Sequence, residues 1–489
     1  MSTSPEYSRI SIRNQKDTER LYSLLKTYAQ DPSRAETVSE VIIDTQRWYP
    51  MFDDSRPRKP KPKDSPIDEG HVALHAYIRS LSLDENTTFD FIGAVDTKRR
   101  AVMSWHACDS DSACSSLKFE VVGLALLFSF CKNITTLYLA EELYHSVDEY
   151  LIKLNYGDIK NLGLQSLKHV HFTASHPDIN EPRYYATVEI LRYMQLIHRL
   201  PALESVTMDG LQEYQPTYVY FVPRSGNMKK LEITHCHIGS DYLTRMISIP
   251  KFLEEFKLSI GGMWSIDGGM PVYSPYEIGN ALAAHKDTLR VLDIDAGITI
   301  SADNYPGTKY KHDEADLEER ACRRVRGRPG EPYGRDRIAA DKVISIRPRT
   351  TEEDAKGRSN TVLPFHDFPR LTHLSIDMVA LLGDWDDNKW DPPFKLTKPA
   401  PFRLIECLPP SLEYLCMYRY VRGVNPDVDE HVDELLAEKS EKLPKLKCIK
   451  GIEELVLGLK DVFGHSDSLD EEDLYVRGEL DVEWKEVEG

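Results

Sequence analysis

No stretch of this chain stays apolar long enough to cross a bilayer. The longest run, Val121–Cys131, falls well short of the roughly 20 residues that a spanning helix needs, and it reads instead as a buried helix beneath a neighbouring strand. The opening residues Met1-Ser-Thr-Ser-Pro-Glu lack a basic region followed by an apolar core, so no secretory signal is expected. Cysteine is scarce, with eight in 489 residues and no paired spacing. That argues against a disulfide framework and for reduced thiols in a cytoplasmic or nuclear protein. His106-Ala-Cys108 with Cys114, and His235-Cys236-His237, lack the spacing that fixes tetrahedral zinc, and no metal or cofactor is expected.

Catalytic signatures are also missing. There is no Gly-x-Ser-x-Gly elbow, no Walker-type Gly-Lys-Ser/Thr and no His-Glu-x-x-His. Gly261-Gly262 and Gly268-Gly269 lack a phosphate-loop lysine and read as turn residues. No enzyme is expected; the alternative, a site in the loops around Gly261 and Trp264, would need a converging polar pocket.

Positive charge is in deficit, since 61 basic against 79 acidic residues leave a formal charge of −18, which makes nucleic acid and anionic membrane poor partners. The basic stretch Arg320–Arg349 holds ten Lys/Arg but only Tyr333 for stacking, so it reads as a surface loop. The Pro-rich Arg56–Lys63 reads as a semi-extended loop. From Asp467 to Glu488 there are ten acidic residues and two basic ones, the composition of a solvated tail.

What the chain has in abundance is one apolar spacing, Φ-x-x-Φ-x-Φ, occurring eleven times. It is clearest at Met228/Leu231/Ile233. The other copies centre on Val41, Leu81, Leu137, Val170, Val206, Phe256, Leu292, Leu374, Leu415 and Leu455. The last two apolar residues of each unit are two apart and point to one side of a short strand. A single strand cannot bury that face alone, so consecutive units are expected to stack, each pairing in parallel with the next through a crossover. Helical spacing in Tyr184–Arg199 (Val188, Leu191, Met194, Ile197) and in Tyr276–Thr288 supplies crossover helices. Near the start, Leu21, Leu24, Leu25 and Tyr28 form a stripe capped at Asp17 or Thr18 and ended by Asp31-Pro32. The expected product is an α/β, leucine-rich-repeat-like solenoid with irregular repeat lengths: a helical cap over 1–36, the array over 37–464 with a long insertion at 299–365, and the tail over 465–489.

These residues resemble a family. The unit from Met228 to Leu243, with Cys236, Ile238 and Asp241 after the strand, is similar to the cysteine-containing leucine-rich repeat of F-box proteins. The strand openers Leu200-Pro-Ala-Leu203, Phe368-Pro-Arg-Leu371 and Leu408-Pro-Pro-Ser-Leu412 resemble those of divergent F-box/leucine-rich-repeat proteins of filamentous fungi. The resemblance implies a substrate receptor of a cullin-type ubiquitin ligase. Two departures qualify it: most repeats carry another residue where Cys236 stands, and no F-box-like segment precedes the Leu21 helix. A Skp-type adaptor is therefore expected only where such a module lies upstream or is replaced; otherwise the chain would be a free scaffold or decoy.

Within the array, the residues flanking each inward pair must face outward on one side of the parallel sheet. His169, His171, Asp209, Glu232, Glu255, Asp293, Asp295, His373, Asp377, Tyr414 and Tyr418 are thereby expected to line a concave, acidic and aromatic face that holds a protein or peptide.

Overall fold

The computed structural model describes residues 6–44, 67–99, 119, 122–140, 151–152, 163–173, 184–188, 190–213, 221–264, 273–296, 361–362, 364–383, 396, 399–456, 475–476 and 480–487. They group into two compact units, 1–212 with 476–489, and 213–475. Each carries six strands of an open, mostly parallel α/β sheet.

In the first unit the strands are β1 (Tyr7–Ile12), β2 (Glu40–Asp44), β3 (Thr136–Ala140) and β4 (His169–Thr173). Two short strands, β5 (Ala186–Val188) and β7 (Leu211–Glu213), pair separately, and β6 (Ser205–Asp209) returns to the main sheet beside β4. One register runs through the ladder. Ile10, Val41, Leu137, Val170 and Val206 stand opposite one another, as do Ile12, Ile43, Leu139, Phe172 and Met208. All are buried, as expected for strands that feed a shared core.

The second unit repeats the arrangement with β8 (Lys230–Cys236), β9 (Glu255–Ile260), β10 (Val291–Asp295), β11 (His373–Asp377), β12 (Tyr414–Tyr418) and β13 (Cys448–Lys450). Leu231, Phe256, Leu292, Leu374 and Leu415 form one buried row, and Ile233, Leu258, Ile294, Ile376 and Met417 the next. The connections include the helices Ser240–Ser248, Pro275–Ala283 and Pro426–Lys442. Ser274 caps the second of these by accepting from the Glu277 N–H, with Pro275 in its first turn.

Nine of the eleven sequence units become strands, and two do not. Ile78 and Leu81 belong to the helix Glu69–Ser80 and its C-cap, where Leu74, Ile78 and Leu81 make one buried face; their spacing fits a helix as well as the strand motif. Around Leu455, the strand lies earlier, at Cys448–Lys450, because Gly451 turns the chain at φ +87° and leaves Leu455 51 % exposed.

The expected helical cap is also more than a helix. Tyr7–Ile12 is a strand, and it closes the open side of β2 by parallel pairing, while the helix Gln15–Gln30 connects the two. That helix is capped by Asn14, whose side chain accepts from the Asp17 N–H at 3.0 Å. The 122–130 helix is buried as expected, with Tyr77 stacked on Phe130 at 3.7 Å. The crossover expected over 184–199 divides into β5 and the helix Ile190–Ile197.

Two boundaries move. Thr361, Val362 and Phe365, placed in the insertion by the sequence pattern, are buried, and the Val362 N–H donates to Ala380 O at 2.7 Å. The basic stretch 320–349 lies outside the described residues. The carboxy-terminal segment expected to be solvated instead contributes β14 (Lys485–Glu486), antiparallel to β1. Local chemistry explains the docking. Asp481 pairs with Arg9 and Lys485, both at 2.8 Å, and Trp484 sits edge-on to Tyr7 with the Arg20 guanidinium 4.0 Å from its ring centre. The backbone of β14 satisfies one side of β1 that would otherwise be an open edge.

Candidate functional site

The shared register sorts the polar side chains of each unit into rows. In the first unit one row runs Arg9, Glu40, Thr136, His169 and Ser205, and the next contains Tyr138, His171 and Thr207. His169 Nδ1 lies 2.8 Å from Ser205 Oγ. Tyr138 and His171 stack across adjacent strands with ring centres 4.6 Å apart. Burial, then the neighbouring His169, holds the His171 pKa below the ordinary imidazole value. Asp209 ends this unit's ladder opposite Thr173.

In the second unit the first row is Lys230, Glu255, Val291, His373 and Tyr414, and the second is Glu232, Lys257, Asp293, Ser375 and Cys416. Lys230 pairs with Glu255 at 2.7 Å, and Lys257 approaches Glu232 at 3.7 Å. These pairs are open to solvent, where an ion pair contributes about 0–1 kcal/mol, so they can exchange partners at little cost. His373 and Tyr414 lie face to face at 5.8 Å. Nine of the expected face residues, His169, His171, Asp209, Glu232, Glu255, Asp293, His373, Tyr414 and Tyr418, are thus partly or fully exposed.

The acidic residues further along the strands behave differently. Asp295 and Asp377 are 4 % and 3 % exposed, and Arg419 reaches both, Nη2 to Asp295 at 2.6 Å and Nη1 to Asp377 at 2.9 Å. Asp293 accepts the Tyr418 hydroxyl at 2.8 Å. Sequence periodicity gives the side of the sheet but not what covers it: Arg419, one residue past β12 at φ +56°, folds back and takes the carboxylates of Asp295 and Asp377 out of water. Burial pushes Asp377 up to about 6 despite the arginine, and raises Asp293 in spite of its tyrosine donor. The expected acidic face is therefore divided: Asp295 and Asp377 form an internal ion-pair cluster with Arg419, while Asp209, Glu232, Glu255 and Asp293 stay partly exposed.

A third grouping was not singled out by sequence. The helix Glu69–Ser80 presents His71 and His75 one turn apart, and the helix Glu85–Arg99 brings Asp96 to them. Asp96 Oδ1 lies 2.9 Å from His71 Nε2 and 3.0 Å from His75 Nε2, and the three donor atoms lie within 4.8 Å of one another. Burial, then the adjacent His71, lowers the pKa of His75, which favours its neutral, lone-pair-bearing form. The usable signal was His-x-x-x-His at helical spacing, hidden by reading the following Ile78/Leu81 as a strand. Of the two clusters weighed from sequence, 106–114 lies outside the described residues, and His235 is stacked on Tyr475 at 3.4 Å.

Elsewhere, a small cavity of the first unit is lined by Leu139, Phe172, Val188, Ile190, Tyr193, Met208 and Leu211. It offers no converging polar groups. Among the described residues no helix is long and apolar enough to cross a membrane. No protein-family model matches the chain, and comparison with curated proteins returns no match.

Proposed function

We propose that this chain is a non-enzymatic recognition module, in which the polar face of the strand ladder holds a protein or an extended peptide. On this reading the ladder is a leucine-rich-repeat-like solenoid and the rows line its concave side. By the resemblance drawn from sequence, the chain would be the substrate-binding part of a cullin-type ubiquitin ligase.

The observation that supports recognition is the alignment of exposed side chains row by row across consecutive strands. Lys230, Glu255, His373 and Tyr414 stand on adjacent or next-adjacent strands in one register, and adjacent parallel strands are about 4.8 Å apart. That spacing suits a partner chain crossing the strands and meeting one side chain per step. Mixed charge on the rows favours a polar peptide over a polyanion.

The test is affinity purification of the chain from its native cells beside a His373→Ala/Tyr414→Ala variant, with thermal unfolding showing that the variant is folded. Partners captured by the parent and lost by the variant are the expected result; an unchanged set of partners removes these rows as the site. Skp-type adaptor and cullin retained by both forms would support the ligase assignment. Their absence from both, with other partners present, would leave a scaffold or decoy.

A further inference from the structure

We propose that His71, His75 and Asp96 form a binding site for one divalent transition-metal ion of the zinc class, with two imidazole nitrogens and one carboxylate oxygen as ligands and a water completing the shell.

The placement of the three ligands follows from capping and packing. Asp68 caps the helix Glu69–Ser80 by accepting from the His71 N–H at 2.7 Å, and Lys26 of the preceding helix holds that cap from 2.6 Å. His71 is therefore fixed in the first turn, and His75, four residues on, shares its face. Their rings lie 4.4 Å apart and tilted by 49°, so the two Nε2 atoms meet Asp96 from different directions rather than as a flat stack.

The spacing is that of hydrogen bonds and lies close to that of a metal site as well. Ligands about 2.0–2.1 Å from tetrahedral zinc stand roughly 3.3 Å from each other. The nitrogen-to-oxygen distances of 2.9 and 3.0 Å reach that value with shifts of a few tenths of an ångström. Without an ion, one carboxylate oxygen faces two imidazole nitrogens, and His75 Nε2 is buried with no hydrogen bond of acceptable geometry. An ion at the point of convergence satisfies that nitrogen.

The surroundings match what metal-ligating histidines use. The other nitrogen of His71, Nδ1, lies 2.9 Å from the Tyr22 hydroxyl, an outer contact that orients the ring and aims Nε2 at the ion. Tyr22 is itself held edge-on by Phe119 at 5.6 Å. The three ligands grade from enclosed to accessible, His71 at 2 %, His75 at 18 % and Asp96 at 30 % side-chain exposure, leaving the fourth position on the solvent side. Two imidazoles select zinc, cobalt, nickel or copper over magnesium or calcium. Since the ligands come from two successive helices, occupancy would fasten one to the other.

The experiment uses the full chain, stripped with a chelator and with its thiols alkylated so that cysteines cannot compete. Zinc is titrated by calorimetry, cobalt(II) is followed by its visible ligand-field absorption, and the unfolding temperature is read with zinc, with magnesium and without metal. The parent should bind one equivalent of zinc, show a nitrogen/oxygen cobalt spectrum, and gain thermal stability with zinc only. His75→Gln and Asp96→Asn should each weaken binding at least 100-fold, with far-ultraviolet circular dichroism unchanged. Tyr22→Phe keeps all three ligands and should weaken it by about 10- to 100-fold, the usual range for outer-contact loss. Zinc binding that survives both ligand substitutions, or no binding by the folded parent, overturns the proposal.

Discussion

Arg419 and Asp377 lock the end of β12 to the end of β11: the guanidinium meets the carboxylate at 2.9 Å, while the other oxygen of Asp377 accepts the Val379 N–H at 2.8 Å and caps the helix that follows. One side chain thus serves a strand, a helix start and a buried cation. Arg419→Ala would leave Asp295 and Asp377 buried without their counter-charge, and the expected cost is about 3–5 kcal/mol. Arg419→Lys, which cannot fork between two carboxylates, should recover only part of it. Urea unfolding of the three proteins measures both.

The same aspartate predicts an unusual pH dependence. Its folded pKa, about 6 against an ordinary 3.8, is raised, so between those values the native state keeps a proton that the unfolded chain has released. Stability from this group therefore falls as pH rises through that window. Asp377→Asn keeps a capping oxygen and carries no proton, so its stability relative to the parent should improve between pH 4 and 6.5, by up to about 3 kcal/mol. A constant difference across that range would show that Asp377 does not titrate there.

His285 acts in the opposite sense. It is buried, with Nε2 2.8 Å from Ile247 O and Nδ1 accepting the Leu253 N–H at 3.3 Å, a pairing that requires the neutral ring. Burial lowers its pKa from the ordinary 6.5, so its contribution is complete above that value and is lost as pH falls below it. His285→Ala should cost about 2–4 kcal/mol by stranding two backbone groups and opening a void. It should also flatten the acid limb of the stability curve, which chemical unfolding from pH 7 to pH 5 would show.

Gly423 and Gly451 separate backbone strain from steric collision. Both have positive φ, +85° and +87°, where an alanine costs about 1–2 kcal/mol. At Gly423 a methyl group meets nothing within 4 Å, whereas at Gly451 it would sit 2.1 Å from Met417 O. Gly423→Ala should stay near the lower figure, and Gly451→Ala should exceed it by at least about 1–2 kcal/mol because β12 must shift. Equal unfolding midpoints for the two variants would contradict this placement of Gly451.

The strand pattern was legible because burial on one face imposes a strict two-residue period, and the rows Leu231/Phe256/Leu292/Leu374/Leu415 emerge in the register that spacing implied. Where the period was ambiguous, as at Leu74/Ile78/Leu81, a helix and a strand could bury the same residues, and only the neighbours decide. The polar face was half legible. Its rows follow from alternation, but the withdrawal of Asp295 and Asp377 depends on one arginine in a left-handed conformation, which no periodicity announces. Likewise the pairing of His71 and His75 with Asp96 depends on how two helices lie against each other, a tertiary fact with only a four-residue echo in the sequence.

The antiparallel pairing of β14 with β1 has a kinetic consequence. The hydroxyl of Ser8 reaches the carbonyl of Lys485 across a separation of 477 residues, so β1 waits for a partner synthesised that much later. At synthesis rates of about 5–20 residues per second that interval is roughly half a minute to a minute and a half. Throughout it one side of Tyr7–Ile12 has no native strand beside it, a period in which a nascent chain is most open to edge-to-edge association, and closing so large a loop makes this pairing a late event in folding.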